Sequence, residues 1–381
     1  MNENKKLNRH LPELIIPSMN FTKLLLSWYN HNHRDLPWRN TKDPYKIWIS
    51  EIILQQTRIE QGLDYYHRFL DRFSTISDLA SAEEQDVMKI WQGLGYYTRA
   101  RNLHYAAKEI VRNNKGKFPL TYEGIRNLKG IGDYTAAAIA SFAYDLPYPV
   151  VDGNVLRFFS RYFGVLDPVD KASGKKAVLQ LAQEKMNMGN PGKFNQAIME
   201  FGALQCKAGS PDCHVCPFRE SCFAYTHEKI ADLPVKSRAA QPRKRYFHYL
   251  VIIYKDLANG AILYLRKREE NDIWKNLFDF PLIESSGPLS QEKLMKTLEW
   301  HNLIKTKNVA ILKRSKVYQH VLTHQLIYAR FYVVQMEKKP VNDFIPVLQK
   351  DLDKFPVPRL IEKYISDATA NFTKVLSDHR R

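Results

Sequence analysis

Four cysteines crowd into one short stretch, Cys206, Cys213, Cys216 and Cys222, spaced C-x6-C-x2-C-x5-C, and the chain has no other thiol. Four soft donors from a compact loop are the ligand set of an all-cysteine zinc site or of an iron–sulfur cluster, each ligand a thiolate. Cysteines placed for packing, or paired as two disulfides, have no reason to gather in this way. Spacing alone leaves zinc and iron–sulfur open. Pro217 follows the third cysteine, and Phe218, Phe223 and Tyr225 supply an apolar jacket that suits a cluster. A second place with chemical potential is LKGIGDYTAAAIASFA, Leu128–Ala143, where Gly130 and Gly132 flank Ile131 directly before a run of helix formers. Glycines allow a tight turn, and the free N–H groups of the next helix can hold a DNA phosphate without regard to sequence; read structurally, the same segment is only a tight connection. Twenty residues on, Asp152 opens the amphipathic segment VVDGNVLRFFSR, either as a helix N-cap or as a working carboxylate.

These groups must be held by a larger frame. The 381 residues suggest two or three domains, and 44% hydrophobic content suffices for buried cores. A net charge of +17 points to a polyanionic partner, most simply nucleic acid. No apolar run reaches the length of a membrane span, and MNENKKLNRH at the start lacks the apolar core of a signal peptide, so a cytoplasmic protein with reduced cysteines is expected. From about residue 17 to 226 the pattern is helical: Phe21–Tyr29, Tyr45–Gln56, Asp64–Phe73, Glu83–Trp91, Ala100–Asn113 and Lys175–Met186 place apolar residues at helical spacing. The stretch ADLPVKSRAAQPRKRYF then loses its period and gains Pro, Lys and Arg, as a linker lying along phosphates would. Beyond it the texture is β, with runs at Tyr246–Tyr254, Ala261–Arg266 and Leu326–Val334, a turn at Asn259-Gly260, and helical patterns near Gln291–Trp300 and Arg359–Ile365. The expected division is a helical region 1–230, a linker 231–245, an α+β domain 246–366 and a tail 367–381.

A hairpin, a downstream Asp and a four-cysteine loop in this order resemble the helix-hairpin-helix DNA glycosylase superfamily, and within its iron–sulfur branch the chain is similar to the adenine DNA glycosylase family, MutY. DLPWR (Asp35–Arg39), WISEIILQQTR (Trp48–Arg58), GLGYYTRARNL (Gly93–Leu103), the hairpin, VDGN (Val151–Asn154), NQAIMEFGALQC (Asn195–Cys206) and the cysteine loop carry the resemblance. It implies a mostly α glycosylase fold of two helical lobes with a C-terminal Nudix-like domain, and a [4Fe–4S] cluster on the four cysteines. Excising a purine requires protonation of the leaving base and an anion beside the oxocarbenium. Glu51 sits among Ile49, Ile52, Ile53 and Leu54, where desolvation should keep it a proton donor. By resemblance it protonates the adenine ring and later serves the attacking water, while Asp152 stabilises or attacks the sugar cation with Asn154 and Tyr134 positioning the pair, and Glu200 supports. Gln55, Gln56 and Tyr96 resemble residues that fill the hole left by the extruded base or abut its partner, with Arg58, Arg99 and Arg101 as phosphate contacts. Relatives that also cut the strand carry a lysine where Tyr134 stands, so hydrolysis alone is expected, with Lys129 close by.

The C-terminal module resembles the one the family uses to inspect the base opposite adenine. It lacks the glutamate-rich helix that would hold magnesium, so it should bind and not hydrolyse. IWKNLFDFP (Ile273–Pro281) matches a packing block, and HVLTHQ (His320–Gln325) matches the loop that contacts 8-oxoguanine, with Leu322-Thr323-His324 in place of Phe-Ser-His. Thr323 and His324 keep a hydroxyl and an imidazole, but the ring is lost. The implied function is hydrolysis of adenine opposite 8-oxoguanine or guanine by a monomer on double-stranded DNA. Two alternatives stand beside it: a thymine-mismatch or oxidised-pyrimidine enzyme on the same scaffold, and a noncatalytic DNA-scanning protein. The cluster pins a basic loop (Lys207, His214, Arg219) or serves redox signalling.

Overall fold

The computed structural model describes residues 18–237, 241–256, 260–269, 272–305, 309–340 and 343–367; Asn259, the N-terminal decapeptide and the tail from 368 on lie outside them. The chain forms two compact units. One takes the chain up to Gln55 together with Arg112–Arg238, and the other takes Gln56–Val111 together with the chain from Ala239 on. Among the described residues no helix is long and apolar enough to cross a membrane.

The first unit is helical. The helix Pro44–Leu54 begins where Asp43 caps the Tyr45 N–H at 2.9 Å and Pro44 occupies the first position. The helical hairpin is Tyr122–Arg126 followed by Asp133–Tyr144, joined by a turn in which Gly130 has φ +81°, a conformation that favours glycine. Ala136, Ala137, Ala138 and Ala140 of the second hairpin helix are buried, and their small side chains let Pro44–Leu54 pack closely against it. A third pair, Gly153–Phe163 and Pro191–Leu204, closes on an aromatic core of Phe158, Phe159, Tyr162, Phe201 and Phe218. Residues 231–237 lie against this unit: Leu233 is buried, Val169 N–H donates to Val235 O at 3.0 Å, and Asp170 binds Ser237. The expected linker is thus anchored over its first seven residues, and a strand starts at Arg243, inside the stretch read as linker. Leu233 and Val235 supply apolar anchors that the loss of periodicity concealed.

The second unit joins the helices Ile59–Arg72, Ile76–Ser81 and Glu84–Trp91 and most of Thr98–Asn114 to an eight-stranded mixed sheet. The strands are β1 (Arg243–Asp256), β2 (Gly260–Lys267), β3 (Phe278–Asp279), β4 (Leu282–Ser285), β5 (Val309–Arg314), β6 (Tyr318–Val321), β7 (Gln325–Met336) and β8 (Ile345–Leu348). Their order is β3-β2-β1-β7-β5, with β4 on β1, β6 on β7 and β8 on β2. The central pair β1 and β7 is parallel, in register from Arg243/Gln325 to Tyr254/Met336. β1 reads as a nearly unbroken apolar run because both of its faces are covered. Phe247, Tyr249 and Val251 meet Leu360, Ile361 and Tyr364 of the helix at 359–367 on one side. On the other side Leu250 and Ile252 meet Leu294 and Trp300. The helical pattern near Gln291–Trp300 becomes two short helices, Gln291–Met295 and Leu298–Leu303, because Thr297 caps the second one through the Trp300 N–H.

Candidate active site and metal centre

Three carboxylates meet in the first unit, and their surroundings differ. Glu51, 6% exposed, projects from Pro44–Leu54. Burial pushes its carboxyl up to about 7, a hydrogen bond from Tyr134 works against that, the charge of Asp152 adds to it and Arg39 opposes it. The hairpin helix supplies Tyr134, whose ring is half-exposed while its hydroxyl is enclosed, and burial keeps that hydroxyl protonated. Asp152 caps Gly153–Phe163: Oδ1 accepts from the N–H groups of Asn154 (2.9 Å) and Val155 (2.8 Å), and Oδ2 accepts from Asn154 Nδ2 at 2.7 Å. Burial raises the Asp152 carboxyl, opposed by these donors and by Arg157. The N-cap reading of Asp152 is thus met, and its carboxylate lies near enough to Glu51 and Tyr134 to raise both.

Glu200, 1% exposed, is the third. Arg34 holds Oε1 at 2.9 Å and Oε2 at 2.6 Å, and Arg39 does the same at 2.9 and 2.6 Å. Burial alone would raise it, but the bonds and charge of Arg39 and Arg34 win and hold it at about 2. Sequence reasoning missed this role of Arg34 and Arg39. Its signal was present in DLPWR, an arginine next to two aromatic-rich helices. Arg157 was also missed: it donates to Asn154 Oδ1 (2.9 Å) and to the carbonyl of Cys206 (2.8 Å), joining the Asp152 cap to the cysteine loop. Gly202 permits this assembly, for a Cβ there would lie 2.5 Å from Asn154 O.

Of the residues expected at DNA, Gln55 donates to Thr135 Oγ1 at 3.3 Å, beside Tyr134, while Gln56 (φ +58°) and Arg58 are exposed. Gly130 and Gly132 form the hairpin turn, and the space at a Gly132 Cβ is open. In the second unit Tyr96, 46% exposed with φ +49°, meets Thr323, their hydroxyls 3.1 Å apart. Thr323 and His324 form the exposed tip of the β6–β7 hairpin, and Leu322 packs into the core below. The residue in place of the missing phenyl ring is therefore an anchor. Arg99 and Arg101, expected on phosphates, are engaged otherwise. Arg99 lies over Trp91 and Tyr96 and donates to Gly95 O; Arg101 donates to Thr98 and to the Lys275 carbonyl. Gly95, at positive φ, exposes a carbonyl that Arg99 satisfies, while Arg101 takes the carbonyl of Lys275 between the positive-φ residues Trp274 and Asn276. His320 packs edge-on against Trp274 at 5.6 Å, and burial lowers its pKa.

Cys206, Cys213, Cys216 and Cys222 line one cavity with Phe158, Tyr162, Phe201 and Phe218, and Arg161 donates to Cys206 Sγ at 3.5 Å. Burial pushes the Cys216 thiol up to about 12 and raises Cys213 and Cys222, so thiolates here need compensating positive charge. Four sulfurs lining one apolar cavity are a donor set that would suit a metal centre of thiolate ligands.

Two family models match the chain: HhH-GPD superfamily base excision DNA repair protein over residues 49–187, and NUDIX domain over 248–367. An adenine DNA glycosylase of Buchnera aphidicola (subsp. Schizaphis graminum) is 35% identical over 308 residues, covering 80% of this chain and 84% of that protein. One from Rattus norvegicus is 30% identical, covering 86% of this chain and 72% of its own. Among solved structures, a thermostable thymine-DNA glycosylase aligns with a TM-score of 0.51 at 29% identity, covering 55% of this chain and 97% of its own.

Proposed function

The chain belongs to the adenine DNA glycosylase family of base excision repair enzymes, and we propose that it hydrolyses the N-glycosidic bond of adenine opposite 8-oxoguanine or guanine, leaving an abasic site in an uncut strand. One observation carries this reading: Glu51 is buried and raised to about 7, while Glu200 is pinned at about 2 and Asp152, raised by burial, is held by three donors. An adenine extruded from the stack presents a ring nitrogen to Glu51, which gives up its proton as the C1′–N bond breaks and the bonding electrons leave with the base. The oxocarbenium forms beside the Asp152 carboxylate, which Asn154 holds in place. Glu51, now ionised, takes a proton from water as it attacks C1′, and the acid is restored. Tyr134 orients Glu51 and carries no amine, so no Schiff base to the sugar forms there.

DNA is the partner and the chain acts as a monomer in the cytoplasm, on the nucleoid if the source is bacterial. The turn Gly130–Gly132 and Arg58 take phosphates, Gln55, Gln56 and Tyr96 address the strand opposite the extruded base, and Thr323 and His324 read 8-oxoguanine. Cys206, Cys213, Cys216 and Cys222 hold a [4Fe–4S] cluster, which when bound supplies the charge that keeps the thiolates ionised and fixes the loop. The thymine enzyme that shares this scaffold favours a second reading, a different excised base. Single-turnover excision on duplexes differing only at one pair decides between them. Adenine release opposite 8-oxoguanine and guanine, with strand scission only after alkali, is expected; release of thymine with adenine untouched would overturn the proposal.

A further inference from the structure

In the second unit one guanidinium is used to its full capacity. Arg245 on β1 is 7% exposed. Its Nε and Nη2 donate to Glu284 at 2.7 and 2.6 Å, its Nη1 and Nη2 to Asp272 at 2.9 and 2.7 Å, and its Nη1 to Gln325 Oε1 at 3.0 Å. All five N–H donors are thus committed. Four of them satisfy two carboxylates, which is charge balance inside the domain. The fifth is different, because Gln325 is neutral and closes the β6–β7 turn: Leu322 N–H donates to Gln325 O at 2.8 Å, and Gln325 N–H to Leu322 O at 3.4 Å. The turn's other leg leads back to the same hub. Arg245 lies 4.8 Å over the Phe247 ring, Phe247 meets Trp274 at 6.2 Å, and Trp274 meets His320 of β6 at 5.6 Å. Asp272 and Trp274 belong to one short loop, in which Trp274 holds φ +62°. One buried arginine therefore grips both legs of the hairpin whose tip is Thr323-His324.

We propose that Arg245 is a positioning residue for opposite-base discrimination: through Gln325 on one leg and the Asp272–Trp274 loop on the other, it holds the Thr323-His324 tip in register to read the lesion. The proposal rests on the reading of Thr323 and His324 as the groups that face 8-oxoguanine. A planar five-donor fork is needed, since a lysine with three donors on a point charge cannot serve two carboxylates and an amide together. Small displacements of a positioned group cost rate steeply, so loosening the tip should weaken a lesion contact before it weakens base excision itself.

The test uses the full chain, with single-turnover rates and duplex affinities for adenine opposite 8-oxoguanine and opposite guanine. Arg245→Lys and Gln325→Ala should each lower the preference for 8-oxoguanine by about 10-fold, as loss of one oriented polar contact does, with excision opposite guanine changed by less than about 2-fold. Leu294→Ala serves as the control, because it opens a cavity in the core on the other face of the sheet, away from the Arg245 hub, and should leave the preference unchanged. An equal fall on both duplexes, or an unchanged preference, overturns the positioning role. If Arg245→Lys does not fold, Gln325→Ala decides by the same criterion. A wild-type protein without preference sinks the lesion-reading assignment and this proposal with it. A preference lost in Thr323→Ala but kept in Gln325→Ala sinks only the role of Arg245.

Discussion

At the scale of single residues, neighbours decide what three similar carboxyls can do. Glu51 is buried with one phenol as its hydrogen-bond donor and is raised to about 7, whereas two arginines strip Glu200 of its proton. The two shifts have opposite consequences for stability. The Glu200 carboxyl is depressed from 4.5 to about 2, so its contribution is complete above about 4.5 and is lost as the pH falls towards 2. Glu200→Gln leaves the half-buried Arg34 and Arg39 without their anion and should cost up to about 3 kcal/mol at pH 7, from the size of the shift. Chemical denaturation should show that difference shrinking as the pH drops below about 4.5; a constant difference down to pH 2 would mean that the pairs are not the cause. Sequence pointed to all three carboxyls and to a raised Glu51, but not to what holds Glu200 ionised, since Arg34 and Arg39 reach it across more than 160 positions.

At the scale of elements, helix termini and close packing place these groups. Asp152 is fixed because it caps a helix, and that helix start is fixed because Pro191–Leu204 approaches it at Gly202. Gly202→Ala would put a methyl group 2.5 Å from Asn154 O and 2.8 Å from Asn154 Cβ. We expect a loss of about 1–3 kcal/mol from overpacking, together with slower excision as Asn154 swings away from Asp152. Gly153→Ala, whose Cβ meets nothing within 4 Å, should change thermal stability little, and a larger loss there than at Gly202 would refute the packing argument. Helices with clear periodicity were legible, as in Glu84–Trp91 and Pro44–Leu54. The anchored stretch 231–237 and the early start of β1 at Arg243 were not, because Lys, Arg and Pro there mask a few isolated apolar contacts. The hairpin-tip motif was legible as a motif, yet Leu322 proved to be an anchor, which only the core beneath it reveals.

At the scale of the whole molecule, the residues proposed for chemistry and those proposed for recognition fall in different units. Glu51, Asp152, Tyr134 and the cysteine cavity belong to one, and Tyr96, Thr323 and the Arg245 hub to the other. A charge of +17 over the whole chain suits a DNA partner. The account depends on whether the intact protein excises with Glu51 as its acid, and the pH profile of single-turnover excision tests that most directly. With adenine opposite 8-oxoguanine, the rate should be high below neutrality and fall as the pH rises through about 7, where Glu51 ionises. Glu51→Gln should be slower by at least about 100-fold and should lose that decline. A rate that climbs through neutral pH, or a Gln variant that excises with the wild-type profile, would contradict the account.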